Sequence, residues 1–161
     1  MPHIAGMGER KWVRLLPVAI APTGMAGLFA RDGEVQGARA AQAAGTRFCL
    51  STMSICSIEH VAEATHKPFW FQLYVIRDRG FSKALMERAI KAGCDTLVLT
   101  VDLQVLGQRH RDVRNGMTVP PEFRIANVID IATKPRWALG ALMGKSKTFG
   151  NISGHVLGMD N

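Results

Sequence analysis

The feature of this sequence that most constrains its fold is a regular alternation of short apolar segments with amphipathic segments. The apolar segments are separated by about 25 to 30 residues, which is the spacing of strands in repeated βαβ units. They cover residues 15–21, 47–51, 68–75 and 96–101. Because each segment has the length and composition of a buried strand, the sequence predicts a parallel α/β sheet whose strands are covered by helices on both faces.

Three helices are predicted between these strands, over residues 33–44, 57–64 and 81–92. Ser57 is a suitable N-cap for the second, and Gly45 and Gly93 are suitable stops for the others. The predicted buried faces are Val35, Ala38, Ala41 and Ala44 in the first helix, and Leu85, Met86, Ala89 and Ile90 in the third. Both an open doubly wound sheet and a (β/α)8 barrel fit this order. The missing GxGxxG motif after the first strand weakens a dinucleotide-binding fold.

The alternation stops after residue 102. Residues 103–123 are polar, basic and rich in Gly and Pro, which predicts a long loop. Short helices are expected over 127–132 and 137–143, and no regular structure is expected over 148–161. The net charge of +7 belongs mostly to residues 107–147, where the bases Arg109, Arg111, Arg114, Arg124, Lys134, Arg136, Lys145 and Lys147 face the acids Asp112, Glu122 and Asp130. Such a segment suits phosphates, an anionic lipid surface or an acidic small ligand.

Composition excludes several classes of protein. Hydrophobic residues make up 47% and charged residues 20% of the 161 residues, as in ordinary globular domains. No apolar run approaches the roughly 18 residues of a transmembrane helix, and the opening residues do not resemble a signal peptide. The three cysteines form no CxxC pair and are expected to be buried free thiols in a reducing compartment, with no metal site. No RRM, KH or zinc-finger pattern supports nucleic-acid binding.

Polar residues follow each predicted strand directly. In parallel α/β folds these carboxyl ends gather at one edge, where ligands bind. The residues are Pro22 and Thr23, Ser51 and Thr52, Gln72 and Tyr74, and Thr100 and Asp102. Ser, Thr and Asp also serve as helix caps, but Gln and Tyr are poor caps. Their neutral donors and acceptors suit a heterocycle, and the nearby arginines suit a carboxylate or a phosphate.

Ordered motifs at these positions resemble the FMN-dependent α-hydroxy acid dehydrogenase/oxidase family. The similar segments are residues 17–24 (PVAIAPTG), 32–34 (DGE), 38–41 (ARAA), 44–46 (AGT), 50–52 (LST), 71–74 (FQLY), 99–102 (LTVD) and 107–112 (GQRHRD). The tail, with 130–137 (DIATKPRW) and 148–151 (TFGN), is most similar to bacterial L-lactate dehydrogenases within that family. Each motif is short, but the ordered set is specific.

The resemblance implies a (β/α)8 TIM barrel that binds FMN at its carboxyl-terminal mouth, of which this chain carries the first four β/α units, over residues 15–102. It implies that Pro22, Thr23 and Gly24 place backbone groups against the flavin and that Ser51, Gln72 and Thr100 hydrogen-bond FMN. Tyr74 would donate its hydroxyl to the substrate and Arg109 would bind the substrate carboxylate. Asp102 would pair with the catalytic histidine. The implied reaction is oxidation of an L-2-hydroxy acid, with L-lactate to pyruvate as the expected case.

The family's Ser-Asn-His-Gly-Gly-Arg-type motif, with the catalytic histidine, and its later lysine and arginine are not in this sequence. We therefore expect a chain of the N-terminal half only, inactive in isolation, whose partner is the C-terminal half of the barrel. An enzyme assembled from two chains is one alternative. A non-catalytic half-barrel that binds a phosphorylated ligand or a partner chain is another. Residues 1–14 show no family likeness and are left unassigned.

Residues 103–161 are interpreted as an active-site loop followed by a membrane-proximal insertion. The basic segment 134–137 (KPRW) lies beside the apolar segment 138–143 (ALGALM), so this region suits either the surface of an anionic membrane or packing against the barrel. The expected location is the cytoplasm, with peripheral contact to the inner face of the bacterial cell membrane. Homo-oligomerisation is expected from the resemblance.

Overall fold

The described part of the chain, residues 18–102, 132–144 and 148–153 of a computed structural model, forms a parallel sheet with helices between its strands. The elements are β1 (Ala19–Ile20), α1 (Ala26–Phe29), α2 (Gly33–Ala44), β2 (Arg47–Ser51), α3 (Ile58–Thr65), β3 (Trp70–Tyr74), α4 (Arg79–Lys91), β4 (Thr96–Thr100) and α5 (Pro135–Met143). The strand order is β1-β2-β3-β4, and every neighbouring pair is parallel. This confirms the predicted βαβ order and supplies half of the eight strands that a (β/α)8 barrel requires.

Side chains on one face of the sheet form the core with the helices. Leu50 of β2 and Phe71 and Leu73 of β3 are buried on this face. Helices α2, α3 and α4 cover them with small and aliphatic side chains, among them Val35, Ala38, Ala41, Ile58, Val61, Leu85 and Ala89. The predicted helix faces are therefore confirmed for Val35, Ala38, Ala41, Leu85 and Ala89. Ala44 was also expected on the buried face but is exposed, because it is the last residue of α2. Alanine on α2 lets that helix approach the sheet closely, because its side chain adds little beyond the backbone.

Strand β4 is not covered in the same way, and here the prediction of helices on both faces is wrong. Leu97 and Leu99 pair with Phe71 and Leu73 and share their face, yet they are 47% and 53% exposed. Ile90 of α4 was expected on the buried face but is 72% exposed. Among the described residues no helix packs over these two leucines.

The segment between β1 and α2 contains a short helix, α1, that periodicity did not predict. Its N-cap, Met25, has the left-handed backbone conformation at φ 60°. Gly33 then approaches α1 so closely that a Cβ there would lie 2.5 Å from the carbonyl oxygen of Ala26. The close approach of α1 to the start of α2 therefore requires glycine at this position.

Helix α5 confirms the second short helix predicted after residue 123, with Pro135 in its first turn. It lies against α1, where the indole Nε1 of Trp137 donates to the carbonyl oxygen of Leu28 at 2.9 Å. Each helix in the described ranges is too short or too polar to span a lipid bilayer. The predicted extension 1–14, the long loop 103–123 and the first short helix, except for Ala132, lie outside the described residues.

Candidate functional site

Three of the predicted cofactor-binding residues form a hydrogen-bonded row across three strands. The hydroxyl of Ser51 donates to Gln72 Oε1 at 3.1 Å, and Gln72 Nε2 donates to Thr100 Oγ1 at 2.7 Å. The register explains the row, because Ser51 lies opposite Gln72, and Thr100 follows two residues after the partner of Gln72. Side chains two residues apart on a strand share a face, so all three point to the face opposite the helical core.

The row is buried and held by the backbone around it. Ser51 and Gln72 are each 2% exposed. The amide of Met53 donates to Ser51 Oγ at 3.1 Å. Next to the row, the Thr52 hydroxyl donates to the carbonyl of Gln72 at 2.6 Å and accepts from the amide of Tyr74 at 3.2 Å. Thr52 thus extends the pairing of β2 with β3 beyond the last residue of β2. It thereby fixes the register of Ser51 relative to Gln72.

Tyr74 lies at the end of β3, directly opposite Thr100 in the register. It is half-buried and shares the face of the row, one step nearer the carboxyl end. Asp102 lies two residues beyond β4 and is exposed. Arg109, the predicted substrate-binding residue, lies outside the described residues. The structure therefore brings Tyr74 next to the row and leaves Asp102 at the rim of β4.

The predicted residues after β1 lie beside the loop that follows β2. The amide of Met25 donates to the carbonyl of Met53 at 3.0 Å. A Cβ on Gly24 would lie 3.4 Å from Met53 Cβ, so these two segments are in contact. Pro22 and Thr23 are exposed, and the Thr23 hydroxyl donates only to the nearby carbonyl of Ala21, at 3.4 Å. The ends of β1 and β2 therefore adjoin, as predicted.

Two buried polar residues near the site were not predicted. The carboxylate of Glu34 accepts from the amides of Ile55 and Cys56, at 2.9 and 3.4 Å. Asn151 donates to Ser54 Oγ at 2.9 Å and reaches the carbonyl of Ser51 at 3.4 Å. Glu34 could have been suspected from the sequence, because it is an acidic residue next to the apolar stripe of α2. Asn151 had no such signal, because its partners are distant in sequence.

The thiols of Cys49, Cys56 and Cys94 are free. Burial raises the pKa of Cys49 to about 11 and the pKa values of Cys56 and Cys94 to about 12. In the described residues Asp32, Cys56 and His60 place three potential metal-ligand atoms within 4.8 Å of one another. They lie at the N-terminal ends of α2 and α3, whose dipoles disfavour a cation. We therefore assign no metal site to them.

A cavity of about 420 Å³ lies at the opposite end of the sheet from the polar row. It is lined by residues at the amino ends of β2 and β3, including Arg47, Phe48 and Phe69, and by the ends of α2 and α3. Arg47 already forms an ion pair with Asp95 at 3.0 Å. None of the predicted site residues lines this cavity, so its size does not make it the candidate site.

Comparison with known proteins supports the resemblance across nearly the whole chain. The family described as FMN-dependent dehydrogenase matches residues 13–158. L-lactate dehydrogenase of Ectopseudomonas mendocina is 50% identical over 141 residues, which are 87% of this chain and 37% of that protein. The L-lactate dehydrogenase of Xanthomonas axonopodis pv. citri is also 50% identical, with 87% and 36% covered. The chain therefore spans little more than a third of the length of these relatives.

Solved structures give the same result. The chain matches (S)-mandelate dehydrogenase, a monotopic membrane protein, with a TM-score of 0.77, 39% identity, and coverage of 84% of this chain and 36% of that one. It matches mandelate oxidase, solved with (S)-2-phenylpropionate, with a TM-score of 0.60, 45% identity, and coverage of 64% and 30%. The four described strands are thus the first β/α units of a (β/α)8 barrel, as predicted.

The polar row suits a flavin by the chemistry of its donors. Gln72 Nε2 carries two hydrogens, of which Thr100 receives one, and the Thr100 hydroxyl accepts that bond while keeping its own hydrogen. Among the described residues neither group has another partner for these hydrogens. Two neutral donors therefore remain at the carboxyl edge, and the pyrimidine side of a flavin ring carries the carbonyl and nitrogen acceptors that they require.

Proposed function

Since this chain belongs to the FMN-dependent dehydrogenase family, we propose that it supplies the FMN-binding part of an enzyme that oxidises an L-2-hydroxy acid, with L-lactate converted to pyruvate. The observation that carries the proposal is the buried row of Ser51, Gln72 and Thr100, with two donors at the carboxyl edge that have no partner among the described residues. The 50% identity to two L-lactate dehydrogenases supports lactate over other hydroxy acids.

Each predicted residue has a distinct part in this proposal. Backbone groups of Pro22, Thr23 and Gly24 lie against the flavin, and the row holds the polar edge of the ring. Tyr74, next to the row, offers its hydroxyl to the substrate, and Arg109 binds the substrate carboxylate as a guanidinium fork. When bound, FMN supplies the acceptor for the two electrons that leave the hydroxy acid.

Asp102 would act on the family's catalytic histidine, by accepting its ring N–H and stabilising the imidazolium that forms when the substrate gives up a proton. None of the histidines of this chain, His3, His60, His66, His110 and His155, lies in the family's histidine motif. We therefore expect the 161 residues alone to bind FMN without lactate turnover, with the C-terminal half of a barrel as the partner that supplies the histidine.

The proposal is tested by titrating FMN into the purified chain and following flavin absorbance and fluorescence. Gln72→Leu removes the central member of the row at similar size, and Thr100→Val removes its outer hydroxyl. Thr96→Val is the matched control, because Thr96 lies on the same strand and the same face at the amino end. We expect Gln72→Leu to weaken FMN binding about tenfold or more by leaving hydrogen-bond partners unpaired.

Thr100→Val should have a smaller effect, and Thr96→Val none. If all three variants bind FMN with the affinity of the wild type, and circular dichroism shows an intact fold, the row is rejected as the flavin site. A folded wild-type chain that binds no FMN and self-associates would instead favour the non-catalytic half-barrel. Dye reduction by lactate should appear only when a C-terminal half is co-expressed, and turnover by the chain alone would contradict the assignment of the catalytic base.

We also propose peripheral contact with the inner face of the bacterial cell membrane through α5. Leu139, Leu142 and Met143 are exposed along this helix, next to the basic residues Lys134 and Arg136. The similarity to a monotopic membrane protein supports this proposal. Flotation with anionic vesicles should carry the chain upward, and Leu142→Glu should reduce that fraction. Equal flotation with neutral and anionic vesicles would contradict the electrostatic part of the contact.

A further inference from the structure

Residues 148–153, close to the end of the described chain, pack against the loop that follows β2. Ile152 is buried in the core cluster, and Phe149 packs against that cluster. The amide of Gly150 donates to the carbonyls of both Ser54 and Ile55, at 3.2 Å each. A Cβ on Gly150 would lie 2.7 Å from the carbonyl oxygen of Ile55 and from the amide nitrogen of Ser57. Only glycine permits this close contact between the two backbones.

Asn151 is the centre of the contact. It is 2% exposed, and its side-chain oxygen accepts from the amide of Ile58 at 2.9 Å. That amide is the first of α3 and has no partner within the helix, so Asn151 caps α3 together with Ser57, which accepts from the amide of His60. A residue 93 positions away in the sequence therefore completes the start of this helix.

The side-chain nitrogen of Asn151, Nδ2, connects this residue to the polar row. It donates to Ser54 Oγ at 2.9 Å and to the backbone carbonyl of Ser51 at 3.4 Å. The Ser54 hydroxyl in turn donates to the carbonyl of Cys56 at 2.7 Å. Asn151 thus touches both ends of the turn between β2 and α3, and the first of these ends is Ser51.

The backbone of Asn151 is itself held from the opposite side. Arg88 of α4 donates from Nη1 to the Asn151 carbonyl at 3.2 Å. The same guanidinium makes two bonds to Glu59 of α3, at 2.7 and 2.8 Å. Such a bidentate pair has a fixed geometry, so the Asn151 carbonyl meets a donor whose position is set by two helices.

We propose that Asn151 is a positioning residue, which holds the end of β2 so that Ser51 stays in line with Gln72 and Thr100, and thereby sets the affinity of the chain for FMN. This inference rests on the proposed function for its flavin-binding half. Its structural half, the restraint on Ser51, holds for the flavin-free chain. Asn151 does not touch the flavin in this proposal and acts only through the turn of residues 51–58.

Two substitutions separate the route through Ser51 from the cap on α3. Asn151→Ala removes every side-chain bond. Asn151→Asp keeps the size and an oxygen that accepts from Ile58, but it replaces the donor to Ser51 and Ser54 by a second oxygen and places a charge beside the Ser51 carbonyl. Ser153→Ala is the matched control, because Ser153 belongs to the same segment and is exposed.

The experiment measures two quantities at pH 7 and at a temperature where each variant is folded. The first is amide hydrogen exchange of residues 47–58 in the flavin-free chain. The second is the dissociation constant for FMN. We expect both Asn151 variants to exchange about tenfold faster over residues 51–55, with residues 70–74 unchanged, because buried groups lose their partners. At Ile58 only Asn151→Ala should exchange faster, because Asn151→Asp keeps an oxygen that accepts from that amide. We expect FMN affinity to fall about tenfold in both, and Ser153→Ala to match the wild type.

Several results would overturn the inference. If Asn151→Asp keeps the FMN affinity of the wild type, the residue is only a cap and does not act through Ser51. If both variants bind FMN normally while their melting temperatures fall, the role is only stabilising. A wild-type chain that binds no FMN rejects the proposed function, and the exchange data then still decide whether Asn151 restrains Ser51. Should Asn151→Ala fail to fold, Asn151→Asp carries the same test.

Discussion

Strands β3 and β4 are neighbours in one sheet and carry similar apolar residues, yet they are buried to very different extents. Phe71 and Leu73 of β3 lie under the helices, whereas Leu97 and Leu99, their partners on β4, are about half exposed. The two strands are joined by five register pairs from Trp70–Thr96 to Tyr74–Thr100. Backbone pairing therefore places β4 accurately, while packing stabilises mainly β2 and β3.

This difference matters for the candidate site, because the polar row crosses the boundary between the two regions. Ser51 and Gln72 belong to the packed region, and Thr100 belongs to the exposed strand. The bond from Gln72 to Thr100 is the only side-chain hydrogen bond described between β3 and β4. We expect a ligand bound along the row to stabilise β4 more than β2, because β4 has fewer packed side chains of its own to hold it in place.

The largest expected effect contrasts one leucine from each region. Leu50→Ala, in the packed core, should lower the free energy of unfolding by about 2 to 5 kcal/mol, since it leaves a cavity among rigid neighbours. Leu99→Ala should cost less than about 1 kcal/mol, because half of that side chain is already in water. Urea denaturation of both variants measures the difference. Similar losses would mean that β4 is covered in solution.

The next effect concerns the backbone contact that supports the packed region. Gly150→Ala should destabilise the chain by about 1 to 3 kcal/mol, because its Cβ would collide with two backbone atoms of the turn. Gly140→Ala in α5 is the control, since its Cβ would meet only Arg31 Cβ at an ordinary 3.7 Å. This control should be neutral or up to about 1 kcal/mol stabilising, because alanine favours helix. The opposite order of thermal stabilities would contradict the described contact.

A smaller effect depends on pH. The hydrogen-bonded ion pair with Arg88 lowers the pKa of Glu59 from its ordinary 4.5 to about 2. The stability that this pair contributes is fully present above pH 4.5 and is lost as the pH falls from 4.5 towards 2. Because the Glu59 side chain is 47% exposed, solvent screening limits the contribution to about 1 kcal/mol.

Glu59→Gln should therefore flatten the dependence of unfolding free energy on pH in that interval. Glu87→Gln is the control, because Glu87 only faces Lys83, at 3.9 Å on the surface of α4. Denaturant titrations at pH 6, 4 and 3 provide the comparison. Equal slopes for the wild type and Glu59→Gln would show that the pair contributes nothing in solution.

The smallest effect is a difference in alkylation rate between the thiols of the two regions. Cys49 and Cys56 are buried in the packed region, while Cys94 precedes β4 and is half-buried. Their raised pKa values predict slow alkylation of all three at pH 8. Although Cys49 has the lowest pKa of the three, Cys94 should react fastest, because it is the only one that is not fully buried. Mass spectrometry of peptides after timed iodoacetamide labelling gives the order. Faster labelling of Cys49 or Cys56 than of Cys94 would show that burial in the packed region does not protect these thiols.

The sequence predicted those parts of the fold that repeat with a clear period. Strands β2 to β4 and helices α2 to α4 follow from apolar runs and helical spacing, and the gathering of Ser51, Gln72 and Thr100 follows from parallel strand ends. Helix α1 has too few residues to show a period and begins at a left-handed Met25. Ile90 fits the apolar pattern, but a pattern cannot show that no neighbour covers it in the described chain.

The supporting contacts of the site are the part that no local pattern reveals. Asn151 meets Ser51 and Ile58 across 100 and 93 positions of sequence. Glu34 meets Ile55 across 21. These pairs exist only because the sheet and the helices have already brought distant segments together. Site residues at strand ends are therefore predictable from sequence, whereas the buried polar residues that hold them in place require the structure.

The central claim is that FMN binds at the carboxyl ends of β2, β3 and β4. The most direct measurement is an NMR titration of the isotope-labelled chain with FMN, observed at backbone amides and at the side-chain amide of Gln72. The account predicts that signals of Ser51, Gln72, Tyr74 and Thr100 shift together and saturate, while those of Arg47, Lys67 and Thr96 at the amino ends remain unchanged. Shifts confined to the amino ends, or none in a folded chain, would contradict it.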